Sequence, residues 1–460
     1  MPTHSEAVRL NLEYYRKQAK ARLKASRQAD PGSPIKLADA QFAIARENGF
    51  ASWTRFRDFI VRSKLDVHGL VSEFVKASIS APGRAEEILR EQPEIASAGL
   101  YPALVLGDAA RLEQLLAETP DLTKTKGGPH GWEPLLYVCF SRFGDQSRLA
   151  QTGKLLLRHG ADPNASFITE SWPDSPLSCL YGATGATNNP ELALALLEAG
   201  ANPNDGESLY HSTEHHDLKC VRVLLEHGAT PRGSNALKHM LDREDAEGVR
   251  LLLEAGADPN ERNARGDTAL HWAVWRGRSE AILMMLLDAG ALIDAQRSDG
   301  RTAYAMAVLT GQTQIAAFLE SRGASREIPA ITATDAHLLP ELASVNGLQG
   351  VRMLLEAGAP LDTRGDHGAT ALHFACWQGY GEMAELLLRH GASLTIEDEQ
   401  FQGTPVGWFR HGARNCHDPR ADFASVARAL IAAGAKIPKQ DLPTGRPEAD
   451  AVLRQHGFIE

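Results

Sequence analysis

The stretch LLLEAGADPN at residues 251–260 carries an ending that recurs along the chain. In this ending, two leucines are followed, after two further residues, by glycine and alanine. The other copies are LLLRHGADPN (155–164), LLEAGANPN (196–204), LLEHGATPR (224–232), LLDAGALID (286–294), FLESRGAS (318–325), LLEAGAPLD (354–362), LLLRHGASL (386–394) and LIAAGAKIP (430–438). Their glycines are 28 to 43 residues apart, around a value near 33. Nine copies of one ending at this period predict a repeat array.

A second motif precedes the ending in the regular copies. It reads GDTALHWAVW at 266–275 and GATALHFACW at 368–377. The threonine can cap a first helix, and the leucines of the ending then form the inner face of a second helix. Glycine ends the second helix because it takes the left-handed conformation there without strain. One helix pair cannot bury its own apolar face, so neighbouring pairs are expected to stack.

The period, the TALH motif and the ending together resemble the ankyrin repeat over residues 70–438. The resemblance implies an all-α repeat solenoid, built of about ten to eleven helix-turn-helix repeats with β-hairpin fingers and preceded by a small helical segment. It divides the chain into a basic helical N-terminal segment (1–64), a repeat array (65–438) with degenerate repeats at 70–122, and a C-terminal capping tail (439–460).

The N-terminal segment differs from the rest in charge. Residues 1–64 hold 13 Lys/Arg against 6 Asp/Glu, whereas the remainder holds 35 against 52. Its sequence resembles the leader of a group of bacterial ankyrin proteins with the signature AQ-x-x-IAR-x-x-GF-x-SW. The matching residues are Ala40, Gln41, Ile44, Ala45, Arg46, Gly49, Phe50, Ser52 and Trp53. This second resemblance implies a bacterial origin and gives no activity.

Composition narrows the function classes. The chain has no apolar signal-peptide core at its start and no apolar run of about 18 residues, so we expect a cytoplasmic protein without a membrane partner. Five scattered cysteines fit reduced thiols rather than a disulfide framework. The glycine-rich motifs that cradle phosphates are absent from the sequence, so no cofactor is expected.

The repeat is broken at GESLYHSTEHH, residues 206–216. There Glu214 occupies a place that holds a small apolar residue in the regular copies. Two interpretations stay open. A local bend exposes the carboxylate, or the carboxylate packs beside His215, Tyr210 and either His239 or Asp242 of the next unit, because a buried charge needs a partner.

Spacing around this stretch is also irregular. The regular distance from a marker glycine to the next motif glycine is 10 residues, but it is 6 after Gly200 and 5 after Gly228. We therefore expect two shortened fingers, preceded by a unit that is lengthened internally through LYGATGATNNPE (180–191). Broken repeats and loops are where site chemistry tends to reside.

Two positions of each first helix are predicted to face a groove: the residue after the motif histidine and the residue three places further. The first row is Cys179, Ser212, His239, Trp272, Met306, Phe374 and Trp408, and the second is Gly182, His215, Asp242, Trp275, Leu309, Trp377 and His411. One half is polar and the other aromatic, a composition typical of ligand pockets and interface cores. The tryptophans could instead pack sideways on neighbouring helices.

From these rows, together with Tyr210 of the irregular stretch, we predict ten binding residues. They are Tyr210, His215, His239, Asp242, Trp272, Trp275, Phe374, Trp377, Trp408 and His411. In this hypothesis His215, with Glu214 and Tyr210 behind it and Asp242 beside it, forms the polar end of the groove. The tryptophans form its apolar floor.

The histidines call for two further expectations. His271, His373 and, by analogy, His211 occupy the motif position and are expected to tie the turn together by hydrogen bonds. Two clusters contain metal-ligand residue types but lack the spacing of a zinc site, so no metal is predicted. They are His211, His215, His216 and Cys220, and His411, Cys416, His417 and Asp418.

Three functions remain. The first is a protein-binding scaffold or regulator that uses its concave groove for a protein partner. The second is a small-molecule binder, or a cofactor-free enzyme with Glu214, His215, Asp242 or His239 as general acid and base and an apolar or aromatic ligand on the tryptophans. The third, which we favour least, is a nucleic-acid contact through the basic N-terminal helices.

Overall fold

The computed structural model describes residues 11–29, 35–62, 65–437 and 442–458. The chain forms two compact units, residues 1–229 and 230–460, which are described separately below. The first ten residues of the predicted basic segment lie outside the described residues. Among the described residues, no helix combines the length and apolar character that a membrane crossing requires.

Three helices open the first unit: α1 (Leu12–Ala29), α2 (Leu37–Glu47) and α3 (Trp53–Arg62). They bury a small shared core. Its members are Tyr15, Ala19, Ala40, Ile44, Ala45, Phe56 and Ile60. Gly49, which follows α2, has φ +84°, and the Ser52 hydroxyl accepts a hydrogen bond from the Arg55 backbone N–H at the start of α3. Residues 12–29, 37–47 and 53–62 are thus helical, as the sequence pattern predicts.

Helix pairs follow in the first unit. Their helices are α4 (Val67–Ser80) and α5 (Pro82–Glu91), α6 (Leu100–Leu106) and α7 (Ala109–Glu118), α8 (Pro134–Phe140) and α9 (Gln146–Arg158), α10 (Cys179–Tyr181) and α11 (Pro190–Glu198), and α12 (Ser208–Ser212) and α13 (Lys219–Glu226). The degenerate repeats predicted at 70–122 thus form helix pairs. Salt bridges join α3 to α5, with Arg55 3.7 Å from Glu87 and Arg84 4.0 Å from Asp58.

The second unit continues the pattern. Its pairs are α14 (Ala236–Met240) and α15 (Ala246–Glu254), α16 (Ala269–Trp275) and α17 (Glu280–Asp288), α18 (Ala303–Leu309) and α19 (Thr313–Ser321), α20 (Leu338–Ser344) and α21 (Leu348–Glu356), α22 (Ala371–Gln378) and α23 (Gly381–Arg389), and α24 (Pro405–Asn415) and α25 (Phe423–Ala432). A last helix, α26 (Pro447–Gln455), packs on α25 and buries Leu453. The described residues of the two units therefore hold eleven helix pairs, within the predicted range.

The sequence motifs have the local roles that were expected of them. Leu224, Leu252 and Leu286, one leucine of each ending, have no exposed surface. The marker glycine that follows α15, Gly256, has φ +90°, a conformation that a side chain would strain. Repeated burial of one leucine per second helix is what holds neighbouring pairs together.

The motif histidines join consecutive repeats. In α16 the Nδ1 atom of His271 accepts a hydrogen bond from the Thr268 backbone N–H (3.3 Å), and its Nε2–H donates to the Arg301 carbonyl oxygen (3.2 Å). His373 makes the same bonds to Thr370 (3.1 Å) and Gly403 (3.0 Å). Both histidines are buried, as predicted for a structural role.

The expectation of β-hairpin fingers is largely wrong. Within the described ranges, the strands form one antiparallel hairpin, β1 (Ser166–Thr169) with β2 (Trp172–Ser178). Elsewhere asparagine side chains link the turns between repeats. Asn260 Nδ2 donates to the Gly290 carbonyl (2.8 Å), and its Oδ1 accepts from the Leu292 N–H (2.8 Å). These side-chain bonds replace a strand ladder.

The predicted internal lengthening at 180–191 is also wrong. Ser178, the cap of α10, lies 22 residues before Gly200, the same distance that separates Thr268 from Gly290. The extra residues lie before the cap, in the β1–β2 hairpin. The segment itself is helical, because a π-helix at 182–186 continues α10 and Asn189 then caps α11.

Truncation of a buried leucine tests the stacking. We expect Leu252→Ala to lower the free energy of unfolding by about 2–5 kcal/mol, through lost transfer energy and the cavity left behind. Hydrogen-exchange protection should fall mainly in α15 and the adjoining α17. Leu253→Ala, at a half-buried site, is the matched control and should cost less. Uniform loss of protection along the chain would contradict nearest-neighbour stacking.

The two buried histidines predict a pH dependence. Burial lowers the pKa of His271 and of His373 below the ordinary value of 6.5. The unfolded chain therefore binds protons at pH values where the folded chain does not, so stability is retained above about pH 6.5 and falls as the solution is acidified. Urea unfolding between about pH 7.5 and 5.5 should show this slope, and His271→Gln with His373→Gln should flatten it. His390→Gln, at an exposed site, should leave the slope unchanged; an unchanged slope in the double variant would disprove the assignment.

Candidate binding groove

Aromatic residues of the second unit converge because its first helices lie side by side. Helix α22 packs against both α20 and α24, and α16 packs against α18. Positions three apart share one face of a helix. Phe374 and Trp377 of α22 therefore point the same way as Trp408 and His411 of α24.

These side chains line a cleft of about 600 Å³, called the aromatic cleft below. Its walls include Phe374, Trp377, Trp408 and His411, with Phe401 and His367 from the turns. Phe374 and Trp377 lie edge-on to Trp408, with centroids 5.5 Å and 6.2 Å away. Trp377 stacks on His411 at 4.9 Å. Edge-to-face and stacked contacts of this kind are favourable for aromatic rings.

A buried carboxylate holds one wall of the aromatic cleft in place. Asp398 Oδ2 accepts a hydrogen bond from Trp408 Nε1 (2.9 Å) and another from the Gly403 N–H (2.8 Å), and Oδ1 accepts from the Phe401 N–H (2.6 Å). Burial alone would raise the pKa of Asp398, but these donors outweigh it and lower the pKa. The indole orientation is thus fixed before any ligand arrives.

A second cleft, of about 530 Å³, adjoins the first and is more charged. Trp272, Trp275 and Phe374 line it together with several arginines and carboxylates. Beneath it, buried Arg297 approaches Asp267 at 3.1 Å and Glu341 at 2.9 Å. Burial raises the pKa of Glu341, and the charge of Arg297 opposes that rise. We call this site the charged cleft.

Asp242 connects the Trp272 ring of the charged cleft to Arg276, a cation that lines both clefts. Its Oδ1 atom accepts a hydrogen bond from Trp272 Nε1 (3.0 Å) and lies 2.8 Å from Arg276 Nε. The Arg276 guanidinium also lies over the Trp272 ring, 4.9 Å from its centroid, in a cation–π contact. Asp242 was predicted as a groove residue, whereas Arg276 was not.

A third cleft, of about 490 Å³, also has Arg276 in its lining. Trp275, Tyr380, Asp418 and Arg420 line it. The Asp418 carboxylate accepts hydrogen bonds from Tyr380 Oη (2.7 Å) and Arg420 (2.7 Å). Although burial favours the neutral acid, these bonds hold the pKa of Asp418 at about 2. Asp418 is thus ionised and paired within the protein. The described residues hold no group of three His, Cys, Asp or Glu side chains that could bind a metal ion.

Several members of the predicted rows do not face a groove. Cys179, Ser212, Met306 and Leu309 are buried at 1% exposure or less, and Gly182 is buried too. The side chains at these positions pack between helices instead of facing outward. Met306 also contributes to the lining of the charged cleft. By contrast, His239, Trp272, Trp275, Phe374, Trp377 and Trp408 are half-buried, and Asp242 and His411 are exposed.

The irregular stretch at 206–216 shows the bend rather than the packed carboxylate. Helix α12 ends at Ser212, and Glu214 lies on the turn after it, exposed. Its Oε1 atom is 2.8 Å from His211 Nδ1. His211 therefore does not repeat the bonds of the other motif histidines, contrary to prediction. His215 Nε2 bonds the Gly185 carbonyl (2.8 Å), and Tyr210 lies edge-on to the His211 ring.

Sequence reasoning missed three residues of the groove. Arg276 directly follows Trp275, so its place at the end of α16 could have been read from the helix boundary. Phe401 and Asp398 belong to a turn, and the row alignment covered helices alone. A search for aromatic residues in turns would have found Phe401, which is 63% exposed.

Two carboxylates of contrasting exposure give a test of this site description. Glu214→Ala should change the free energy of unfolding by about 0.5 kcal/mol or less, because its side chain is exposed. Asp398→Ala should cost about 1–3 kcal/mol or more, because it leaves buried donors unpaired. Chemical denaturation of both variants measures the difference. A large loss of unfolding free energy in Glu214→Ala would contradict this description and would indicate that the carboxylate belongs to a structural network.

Comparison with known proteins identifies the type of repeat in part of the chain. Family models described as ankyrin repeats match residues 180–263, 237–328 and 354–406. Similar proteins include the ankyrin repeat and KH domain-containing protein mask-1 of Caenorhabditis elegans, 31% identical over 32% of this chain and 6% of its own length. An ankyrin repeat-containing protein of Treponema pallidum is 34% identical over 26% of this chain and 39% of its own.

B-cell lymphoma 3 protein of Homo sapiens is 33% identical over 31% of this chain and 32% of its own length. The crystal structure of the ankyrin repeat domain of Bcl-3 is 27% identical and covers 45% of this chain and 94% of that chain, with a TM-score of 0.25. The matched stretches span 6% to 39% of the full-length relatives named here. Residues 180–328 and 354–406 of this chain are ankyrin repeats.

Proposed function

We propose that this chain is a protein-binding scaffold or regulator whose working surface is the aromatic cleft of the second unit. The observation that carries the proposal is the convergence of Phe374, Trp377 and Trp408, half-buried, on a cleft of about 600 Å³. Large aromatic side chains in a partly desolvated pocket are the residues that most often dominate protein interfaces. Stacked repeats present such residues along an extended surface.

Preorganisation supports the same proposal. Trp408 is held by Asp398, and Trp377 is stacked on His411, so a partner would order few side chains on binding. Less ordering leaves more of the contact energy as affinity. Exposed Phe401 and half-buried Trp377 also leave apolar surface in water that a partner would cover.

We extend the proposal to the whole chain. In it, residues 1–64 are the leader of a bacterial, cytoplasmic ankyrin protein, residues 65–438 the array, and residues 439–460 its cap. Tyr210, His215 and His239 remain predicted contacts outside the aromatic cleft. The acid/base alternative gains no support from Glu214, whose carboxylate is exposed and engaged with His211.

A random-peptide library tests the proposal with a defined probe. Immobilised full chain should enrich peptides, and Trp377→Ala should weaken their binding by about 2 kcal/mol or more, ~30-fold in Kd. The melting temperature should shift by only a few degrees because Trp377 is half-buried. Trp172→Ala, an exposed tryptophan (51%) of the β1–β2 hairpin, is the matched control and should bind normally.

Two results would refute the proposal. One is a library that yields no sequence enriched above the blank surface. The other is a set of enriched peptides that bind Trp377→Ala as tightly as the parent chain. Circular dichroism of each variant separates lost binding from lost folding.

A further inference from the structure

Arg276 occupies a particular place among the clefts of the second unit. Its side chain lines the aromatic cleft, the charged cleft and the third cleft alike. It is 39% exposed, so its guanidinium meets solvent where the three join. A ligand in any of them would approach this one cation.

The contacts of Arg276 leave part of its guanidinium available. Asp242 lies against its Nε atom and the Trp272 ring lies against its face. Its terminal nitrogens donate no hydrogen bond to any residue that the structure describes. Two other arginines of these clefts already form ion pairs through a terminal nitrogen. Arg265 lies 2.6 Å from Asp366, and Arg420 lies 2.7 Å from Asp418. The fork of terminal N–H groups is the geometry that binds a carboxylate through two hydrogen bonds.

Charge around the aromatic cleft favours an anion. Residues 230–460 carry 23 Lys/Arg against 30 Asp/Glu, yet the described lining of the aromatic cleft contains Arg276 and no carboxylate. Asp242 balances part of this charge on the Nε edge, but the terminal N–H groups remain donors and disfavour a cationic ligand. An acidic ligand would be attracted, and its apolar neighbour could enter the aromatic walls.

We propose that the occupant of the aromatic cleft is a peptide segment of a partner protein that carries an internal Asp or Glu beside a large apolar residue. Its carboxylate binds the terminal nitrogens of Arg276, and the apolar side chain lies among Phe374, Trp377 and Trp408. The carboxylate belongs to a side chain rather than a chain end, because Arg276 also lines two further clefts into which a peptide chain can continue. This inference rests on the proposed function and specifies its partner.

The test uses 12-residue random peptides fused through their C-termini to a phage coat protein, so that no free C-terminal carboxylate is present. Selection on the full chain should enrich Asp or Glu within a few positions of Trp, Phe, Leu or Met. Synthetic peptides, acetylated and amidated, should then lose ~10- to 100-fold in affinity on Arg276→Gln, as expected for charge-assisted hydrogen bonds. Asn or Gln in place of the acidic residue should lose a similar factor on the parent chain and little on Arg276→Gln.

Charge reversal supplies a gain of binding that lost folding could not mimic. Arg276→Glu should select peptides with Lys or Arg in place of the acid, while Arg232→Glu, at a 69% exposed site away from the clefts, should select the parent set. Peptides that depend on Trp377 but show no acidic preference, or that bind Arg276→Gln unchanged, overturn this inference and leave the proposed function standing. Preference for a free C-terminus over an internal acid overturns it as well. Failure to enrich any peptide, or binding that ignores Trp377→Ala, overturns both.

Discussion

Every feature of the groove depends on one constraint: a short helix pair has no interior of its own. Leu252 and Leu286 reach zero exposure because the next pair covers them. The motif histidines add a hydrogen bond from one repeat to the next, so the first helices are fixed side by side as well as the second. Because this spacing repeats, a residue at one position of the motif lies next to its equivalent in the following repeat. Phe374 and Trp408 meet for that reason.

Much of the fold could be predicted from the sequence, because Leu-Leu-x-x-Gly-Ala encodes a helix face and its end in adjacent letters. The conformation of the turns between repeats could not be predicted in this way. Whether a turn pairs as strands or through side chains depends on which acceptor each N–H finds, and Asn260 satisfies the Leu292 N–H with its own amide. The residues that face the groove could be predicted only in part, because burial also depends on neighbouring elements. Alignment fixes the position of Met306 along its helix, but burial depends on how closely neighbouring helices cover it.

The irregular stretch at 206–216 contributes no residue to the described lining of the aromatic cleft. At 206–216 the substitution of an acid for a small residue follows from helix length, since α12 ends at Ser212 and Glu214 stands on the turn beyond it. In the second unit, Trp377 and Trp408 occupy ordinary positions of ordinary repeats. The groove face of a repeat can change freely without disturbing caps, glycines or leucines, so binding residues leave no mark on the periodic pattern. Residue chemistry at the variable positions carries the information instead.

Charges beneath the groove couple its shape to its electrostatics. Burying Arg297 beside Asp267 and Glu341 costs desolvation energy, and the raised pKa of Glu341 reflects that cost. The network lines the same cleft as Trp272 and Trp275. Asp242 then acts at the surface, where one oxygen holds both the Trp272 indole and the Arg276 guanidinium. Loss of that carboxylate would release an aromatic wall and a cation together, whereas Trp377 and Arg276 can each be changed alone. In the proposed mode of binding, apolar and ionic contributions are therefore separable at those two residues and inseparable at Asp242.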